Sequence, residues 1–290
     1  MSEDFPRVGV AGAGMMGSEI ALVCALAGRD VRLADTGQGQ LDRAMKSLDG
    51  TLARGVERGL WRAEDRAALD RIRPTTVLDD LGDRDLVIEA VFEDETVKAE
   101  ALGQIDRALG PEAVMTSNTS TISISVLASA VGPARRPRFL GTHFFSPVSR
   151  MKLVEVIPAF DTDDAVVARV QAFAAAIGKT PVRVKDVVGF AVNRLLHAFF
   201  IEAVRLVEEG VISPEECDVA CRLGLGHPVG PFELMDAVTN GLTLQVQEIL
   251  HRAYGQRFLP RPLMKQMVAA GRDGRKTGRG WYRYEAGKRR

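Results

Sequence analysis

The sequence predicts an α/β protein in which a doubly wound, mainly parallel sheet is followed by a smaller all-α domain. From Arg7 onward, short β-rich runs alternate with longer stretches of helical periodicity. Such alternation is typical of crossover units that cover a parallel sheet on both faces. After Asp186 the apolar residues recur at helical spacing instead. The predicted organisation is a first domain at 1–185, a linker at 186–191 and a helical domain at 192–290.

Seven short runs carry the strand prediction, because they are rich in apolar and β-branched residues. In chain order they are RVGVAG at 7–12, DVRLAD at 30–35, DLVIEAV at 85–91, AVMTSN at 113–118, FLGTHFF at 139–145, LVEVI at 153–157 and PVRV at 181–184. Stretches of helical period lie between them, for example at 18–28 and 95–109.

The second domain shows a helix start as well as helical spacing. Apolar residues recur at that spacing from Leu195 to Leu206. Ser213 then precedes Pro214 and lies three residues before Glu216. This pattern is typical of a helix N-terminus with serine as the N-cap and proline in the first turn.

Composition limits the possible partners. Lys plus Arg and Asp plus Glu each number 38, so no net charge draws the protein to nucleic acid or to an anionic membrane. No apolar run approaches the roughly 20 residues that span a bilayer, and the acidic N-terminus is not typical of a signal peptide. Cys24, Cys217 and Cys221 cannot all pair in disulfides, so we expect free thiols in a reducing cytoplasm.

A glycine-rich turn joins the first strand run to the first helical run. Gly12 permits the tight turn, Gly14 lets the backbone approach a pyrophosphate, and Gly17 lets the helix pack close to the strand. The helix start at Met15 and Met16 offers free N–H groups and a partial positive charge to the phosphates. The turn therefore predicts a Rossmann-type dinucleotide site.

Asp35 ends the second strand run, where a carboxylate can accept hydrogen bonds from both ribose hydroxyls of a dinucleotide. The same carboxylate repels a 2′-phosphate, so the predicted cofactor is NAD rather than NADP. Ordinary turn glycines beside a surface aspartate are the alternative, which the strand before and the helix after the turn disfavour.

Six further segments resemble the 3-hydroxyacyl-CoA dehydrogenase family, in the family's order and over nearly the whole chain. They are SNTS at 117–120, GTHFFSP at 141–147, MKLVEV at 151–156, GFAVNR at 189–194, GHPVGPFEL at 226–234 and GRKTGRGWY at 274–282. The resemblance implies reversible, NAD-dependent oxidation of an (S)-3-hydroxyacyl-CoA thioester to the 3-ketoacyl-CoA. It also implies a homodimer formed through the C-terminal domain.

The resemblance assigns catalytic roles residue by residue. His143 matches the family's general acid/base, and Glu155 matches the carboxylate that pairs with it. Ser120 matches the serine beside the substrate hydroxyl and the nicotinamide. Asn193 matches the asparagine that steadies the substrate.

Other matched positions are implied contacts with the cofactor or with CoA. Glu93, Lys98 and Lys276 match cofactor contacts, and Lys46 matches a lysine that meets the CoA moiety. Ser146 stands near the expected nicotinamide ribose, where the family more often has asparagine.

A further departure from the family is Glu19, where many relatives have glycine. We expect its carboxylate to point outward on the first helix turn, where the helix dipole favours an anion.

The chemistry of the reaction supports the histidine–glutamate pair without the resemblance. Removing hydride from a secondary alcohol requires its hydroxyl proton to leave, and histidine titrates near the working pH. The resulting imidazolium needs an anion that stabilises it and fixes its tautomer. His143 and Glu155 lie in consecutive strand runs, so a turn can bring them together.

Several alternatives stay open. The substrate could be a hydroxyacyl group on a carrier protein or a free hydroxy acid, although the His-Phe-Phe segment favours the acyl thioester. A catalytically silent NAD-binding module is the alternative from another class. His197, inside an apolar helical run, is predicted to be a packed core residue. Cys217 and Cys221 lack further ligands at suitable spacing, so no metal site is predicted.

Overall fold

The protein divides into two compact units, and the division falls between Val187 and Val188. The computed structural model describes residues 5–290. Over that range, no helix is both long and apolar enough to cross a membrane.

The first unit is built on an eight-stranded sheet. Its strands are β1 Arg7–Ala11, β2 Asp30–Ala34, β3 Ile72–Thr75, β4 Leu86–Glu89, β5 Val114–Ser117, β6 Phe139–Phe144, β7 Leu153–Pro158 and β8 Thr180–Arg183. The order across the sheet is β3-β2-β1-β4-β5-β6-β7-β8. All neighbours are parallel except β6 and β7, which pair antiparallel. The predicted doubly wound, mainly parallel class is confirmed.

The helices of the first unit follow the predicted helical runs where these were specified. They are α1 Met15–Leu26, α2 Gln38–Glu57, α3 Glu95–Ala108, α4 Ile124–Leu127 and α5 Asp164–Ala176. Strands β4 and β5 are buried along their whole length, which explains why both begin with consecutive apolar residues. Strand β3 was not predicted. It contains Pro74 and lies at the edge of the sheet, where a residue without an N–H is tolerated.

The strand order creates a crevice at the carboxyl ends of β1 and β4. From β1 the chain winds outward through β2 and β3, and then returns to β4 on the other side of β1. In such sheets, ligands bind at the carboxyl ends of the strands where the winding direction reverses. The end of β1 is therefore the expected place for a dinucleotide.

The second unit is helical, as predicted, with a short ribbon added. Its elements are α6 Val192–Glu208, α7 Pro214–Gly224, α8 Pro231–Val238, α9 Asn240–Tyr254, α10 Pro262–Ala269, β9 Tyr284–Glu285 and β10 Lys288–Arg289. The predicted helix start is confirmed, because the Ser213 hydroxyl accepts from Glu216 N and the Glu216 carboxylate accepts from Ser213 N.

Two buried carboxylates hold the C-terminal segment of the second unit. The Tyr282 hydroxyl donates to Asp218 Oδ2 at 2.6 Å. The backbone N–H groups of Trp281 and Tyr282 donate to Asp236 at 3.0 Å each. Because Asp218 and Asp236 are fully buried, these bonds supply the partners that buried carboxylates need. They also fix the end of the segment that contains Lys276.

His197 lies in the core of the second unit, as predicted. It is 5 % exposed, and its ring meets Phe200 edge to face at 5.6 Å between centroids. Burial lowers the pKa of His197 from 6.5 to about 4.

The predicted free thiols also lie inside the protein, and burial raises the pKa of Cys24 to about 12 and that of Cys217 to about 11. Within residues 5–290, no group of three His, Cys, Asp or Glu side chains is placed to hold a metal.

The low pKa of His197 predicts a loss of stability in acid. Between pH 6.5 and 4 the unfolded chain binds a proton at this histidine that the folded chain does not. The contribution of His197 to the free energy of unfolding is therefore complete above about pH 6.5. It falls by about 1.4 kcal/mol per pH unit as the pH drops toward 4. Urea unfolding at pH 7.5 and pH 5 should show a flatter pH dependence for His197→Leu than for the wild type. Equal pH dependence in the two proteins would contradict this.

Candidate active site

The glycine-rich turn after β1 contains glycines that are required for two different reasons. Gly12 has a φ of +102°, and a Cβ there would lie 2.6 Å from the Ala90 carbonyl oxygen. A Cβ on Gly17 would lie 1.8 Å from the Gly12 carbonyl oxygen. A Cβ on Gly14, in contrast, would meet no protein atom within 4 Å. Packing therefore requires Gly12 and Gly17, whereas the space beside Gly14 is left for a ligand.

The start of α1 faces this space. Gly14 is the N-cap and has no side chain to bond the first N–H groups of the helix. These groups, which begin at Met15 and Met16, are available to an anion, and the helix dipole favours negative charge there. The arrangement fits the pyrophosphate of a dinucleotide.

Asp35 follows β2 and lines the same cleft, which has a volume of about 580 Å³. Its Oδ2 accepts from Ala13 N at 2.8 Å and its Oδ1 accepts from Gly37 N at 3.0 Å. These bonds hold a half-buried carboxylate at the position where ribose hydroxyls are expected. Gln40, which had no predicted role, also lines the cleft and donates from Nε2 to the Ala13 carbonyl at 2.7 Å.

The antiparallel pairing of β6 with β7 brings His143 and Glu155 together. The two residues lie directly opposite each other in the register, which places their side chains on the same face of the sheet. His143 Nδ1 is 2.8 Å from Glu155 Oε2, and both side chains are almost fully buried. Because an ionised carboxylate can only accept, Nδ1 donates and Nε2 of the neutral ring is an acceptor.

Ser120 reaches the other side of the imidazole. Its Oγ is 3.0 Å from His143 Nε2, so the serine hydroxyl donates to the neutral ring. The Phe145 ring lies against the imidazole at 4.5 Å between centroids. A proton acceptor is thus held between a carboxylate and a hydroxyl at the carboxyl end of β6.

Glu93 lies under the turn that contains Ser120. Its Oε1 accepts from Ser120 N at 2.8 Å and from Thr121 N at 3.0 Å. Burial acts to raise the pKa of Glu93, but Lys98 and the hydrogen bonds from the turn outweigh it, and the pKa is lowered. The carboxylate is therefore ionised at neutral pH.

Lys98 is buried beneath Glu93, with a side chain only 1 % exposed. Its Nζ donates to Glu89 Oε1 at 2.8 Å and lies 3.4 Å from Glu93 Oε2. The ammonium group is thus engaged inside the protein, and its implied cofactor contact stays a prediction. Glu89 was missed by the sequence analysis. A carboxylate inside the apolar run DLVIEAV was the available signal, because a buried charge requires a partner.

Glu19 does not point outward as expected. Its Oε2 accepts from Ser149 N at 3.1 Å, so the carboxylate turns toward the loop between β6 and β7. The expectation considered only the helix dipole, and it could not include a hydrogen bond from Ser149, which is distant in sequence. Ser146 lies exposed in the same loop.

The remaining predicted contacts lie apart from this cluster in the chain. Lys46 is exposed on α2 in the first unit, where it is accessible to a ligand. Asn193 is the second residue of α6, and Lys276 is exposed in the C-terminal segment, both in the second unit. Their roles toward substrate, CoA and cofactor stay predictions.

Comparisons with known proteins show the family to which both units belong. Residues 7–187 match the 3-hydroxyacyl-CoA dehydrogenase NAD binding domain, and residues 189–284 match the C-terminal domain of the same family. A 3-hydroxybutyryl-CoA dehydrogenase from Bradyrhizobium diazoefficiens is 42 % identical over 99 % of this chain and 98 % of its own length. A probable 3-hydroxybutyryl-CoA dehydrogenase from Deinococcus radiodurans is 40 % identical over 96 % of this chain and all of its own.

A solved structure of a similar protein has the same fold. The crystal structure of (S)-3-hydroxybutyryl-CoA dehydrogenase PaaH1 from Ralstonia eutropha has a TM-score of 0.92 and 40 % identity. The match covers 97 % of this chain and 100 % of that one.

The two kinds of glycine predict different effects of one added methyl group. In Gly14→Ala the Cβ meets no protein atom, so the melting temperature should stay unchanged while NADH affinity falls. In Gly17→Ala the Cβ collides with the backbone at Gly12, so the melting temperature should fall as well. Thermal unfolding and NADH fluorescence titration measure the two effects. A destabilised Gly14→Ala, or one that binds NADH normally, would contradict the assignment of Gly14.

Proposed function

Because this chain belongs to the 3-hydroxyacyl-CoA dehydrogenase family, we propose that His143 and Glu155 are the catalytic pair of its reaction. That reaction is the reversible, NAD-dependent oxidation of an (S)-3-hydroxyacyl-CoA to the 3-ketoacyl-CoA. The observation that carries the proposal is the buried 2.8 Å bond between His143 Nδ1 and Glu155 Oε2, with Ser120 Oγ on the opposite ring nitrogen.

The proton of the substrate hydroxyl passes to His143 Nε2. The neutral ring can accept there because Nδ1 already donates to Glu155. Glu155 then stabilises the imidazolium, as the carboxylate does in other acid–histidine pairs. NAD, when bound, supplies the hydride acceptor. In the reducing direction the protonated His143 returns the proton to the carbonyl oxygen.

Further residues are proposed to contact the substrate, the CoA moiety and the cofactor. When substrate binds, the Ser120 hydroxyl turns from His143 Nε2 and donates instead to the substrate oxygen, which leaves Nε2 free to accept the proton. Asn193 steadies the acyl group. Ser146 and Lys276 contact the cofactor, and Lys46 contacts the CoA moiety. Gly12, Gly14, Gly17, Met15, Met16 and Asp35 form the dinucleotide site described above.

The proposed substrate is a short-chain thioester of CoA. Relatives that align with this chain over almost its full length are named 3-hydroxybutyryl-CoA dehydrogenases. Their names favour CoA over a carrier protein or a free hydroxy acid. Acetoacetyl-CoA is therefore the assay substrate of choice in the reducing direction.

The catalytic pair is tested by removing each proton-transfer group in turn. His143→Gln and Glu155→Gln should each lower kcat for acetoacetyl-CoA reduction by roughly 10²–10⁴-fold, as expected for general acid–base groups. Both variants should bind NADH with normal affinity, since neither residue lies at the dinucleotide turn. His251→Gln, at a partly exposed histidine of the second unit, is the matched control and should stay active. Near-normal turnover in either catalytic variant would refute the assignment.

The proposed assembly is a homodimer formed through the second unit. Exposed apolar side chains on and just after α7 support this, namely Val219, Leu223 and Leu225, of which Leu223 is 83 % exposed. Exposed apolar side chains that lie close together in the chain support an interface there. The proposed location is the cytoplasm, supported by three buried free thiols.

A charge on this apolar surface should separate the subunits. Leu223→Glu should convert the protein to a monomer, because an unpaired carboxylate is costly to bury at an interface. Light scattering coupled to size exclusion measures the mass of the particle. Leu60→Glu, at an exposed leucine of the first unit, is the control and should leave the mass unchanged. A Leu223→Glu dimer at low micromolar concentration would exclude this surface.

A further inference from the structure

One oxygen of Glu93 accepts hydrogen bonds from three consecutive residues of the turn that follows β5. Its Oε1 accepts from Thr119 Oγ1 at 2.7 Å, from Ser120 N at 2.8 Å, and from Thr121 N and Oγ1 at 3.0 Å each. Hydrogen bonds to an ionised acceptor are about twice as strong as neutral ones. A single carboxylate outside the turn therefore holds three consecutive residues of it, from Thr119 to Thr121.

The other oxygen of Glu93 is anchored to the sheet. Its Oε2 lies 3.4 Å from Lys98 Nζ, and the same ammonium donates to Glu89 Oε1 at 2.8 Å. Glu89 also accepts from Ser117 Oγ at 2.5 Å and from Val91 N at 2.7 Å. Lys98 and Glu89 are 1 % and 0 % exposed. A rigid connection thus runs from the ends of β4 and β5 through Lys98 to Glu93.

We infer that Glu93 is a positioning residue that fixes the Ser120 hydroxyl against His143, and that Lys98 acts through Glu93. The inference rests on the proposed role of Ser120 in the reaction. The Ser120 N–H is held by Glu93 at 2.8 Å while its Oγ lies 3.0 Å from His143 Nε2. A shift of this turn therefore moves the hydroxyl relative to the proton acceptor.

The charges around Lys98 suit this role. The Lys98 ammonium lies within 4 Å of both the Glu89 and the Glu93 carboxyl groups, and donors of the turn supply the remaining partners of Glu93. The lowered pKa of Glu93 keeps it ionised over the working pH range. The turn is thus bound by a permanent anion rather than by a titrating group.

A direct contact between Glu93 and the cofactor is the competing explanation, and the two differ in their dependence on Ser120. If Glu93 acts through Ser120, removing both side chains should cost little more than removing either one. If Glu93 acts only through the cofactor, the two losses should multiply. A double-mutant cycle of Glu93→Ala and Ser120→Ala separates these cases.

The cycle is measured on the full chain by kcat for acetoacetyl-CoA and by the Kd for NADH. We expect Glu93→Ala to lower kcat by about 10-fold to 100-fold, the loss typical of a misplaced catalytic group. In the Ser120→Ala background the same change should lower kcat less than about 3-fold, and any change that Glu93→Ala causes in the Kd for NADH should be the same in both backgrounds. Glu93→Gln keeps an acceptor for the turn and should restore part of the activity. Glu95→Ala, at the next exposed glutamate, should have no effect.

A second measurement needs no cofactor. In ¹⁵N-histidine-labelled protein, Glu93→Ala should shift the Nε2 resonance of His143 in the same direction as Ser120→Ala, because both weaken the same hydrogen bond. Glu95→Ala should leave that resonance in place. Lys98→Met should shift it as Glu93→Ala does.

Each other outcome overturns the inference in a recognisable way. Losses in kcat that multiply would show that Glu93 acts independently of Ser120, through the cofactor alone. A Glu93→Ala variant with normal kcat and an unshifted His143 resonance would give it no role. Normal turnover of Ser120→Ala would instead remove the role of Ser120 in the proposed function, and the inference with it.

Discussion

The bond between His143 and Glu155 is the constraint around which the rest of the site is arranged. Both side chains are almost fully buried, and a buried carboxylate without its partner would cost several kcal/mol. The pair exists because β7 runs against β6 and sets the two residues opposite each other. The one antiparallel junction between strands of the main sheet is therefore also the place where proton transfer is proposed to occur.

The parallel part of the sheet supplies the other polar groups. The carboxyl ends of β1, β2, β4 and β5 deliver the glycine turn, Asp35, Glu89 and the Ser120 turn to one edge. Each group is held by bonds to backbone or to a buried charge rather than by long flexible contacts. Fixed groups of this kind stabilise developing charge without reorganising during the reaction.

The sequence predicted what is encoded locally and missed what depends on distant partners. Apolar runs located all the central strands, and the Ser213 cap was recognised because its partner is three residues away. Strand β3 was missed because Pro74 argues against a strand unless the edge position is known. The orientation of Glu19 depends on Ser149, far along the chain, and the linkage of Glu89 to Lys98 appears only when β4 packs against α3. The family resemblance named the residues of the site, but their bonding pattern required the fold.

The bonds made by residues 281–282 determine how strongly a truncation would disturb the second unit. Tyr282 and the backbone at 281–282 satisfy Asp218 and Asp236, which are otherwise sealed inside the second unit. A truncation after Gly280 would leave both carboxylates without these donors. Such a truncation would be far more harmful than the loss of the exposed residues at 285–290 alone, which donate to neither aspartate.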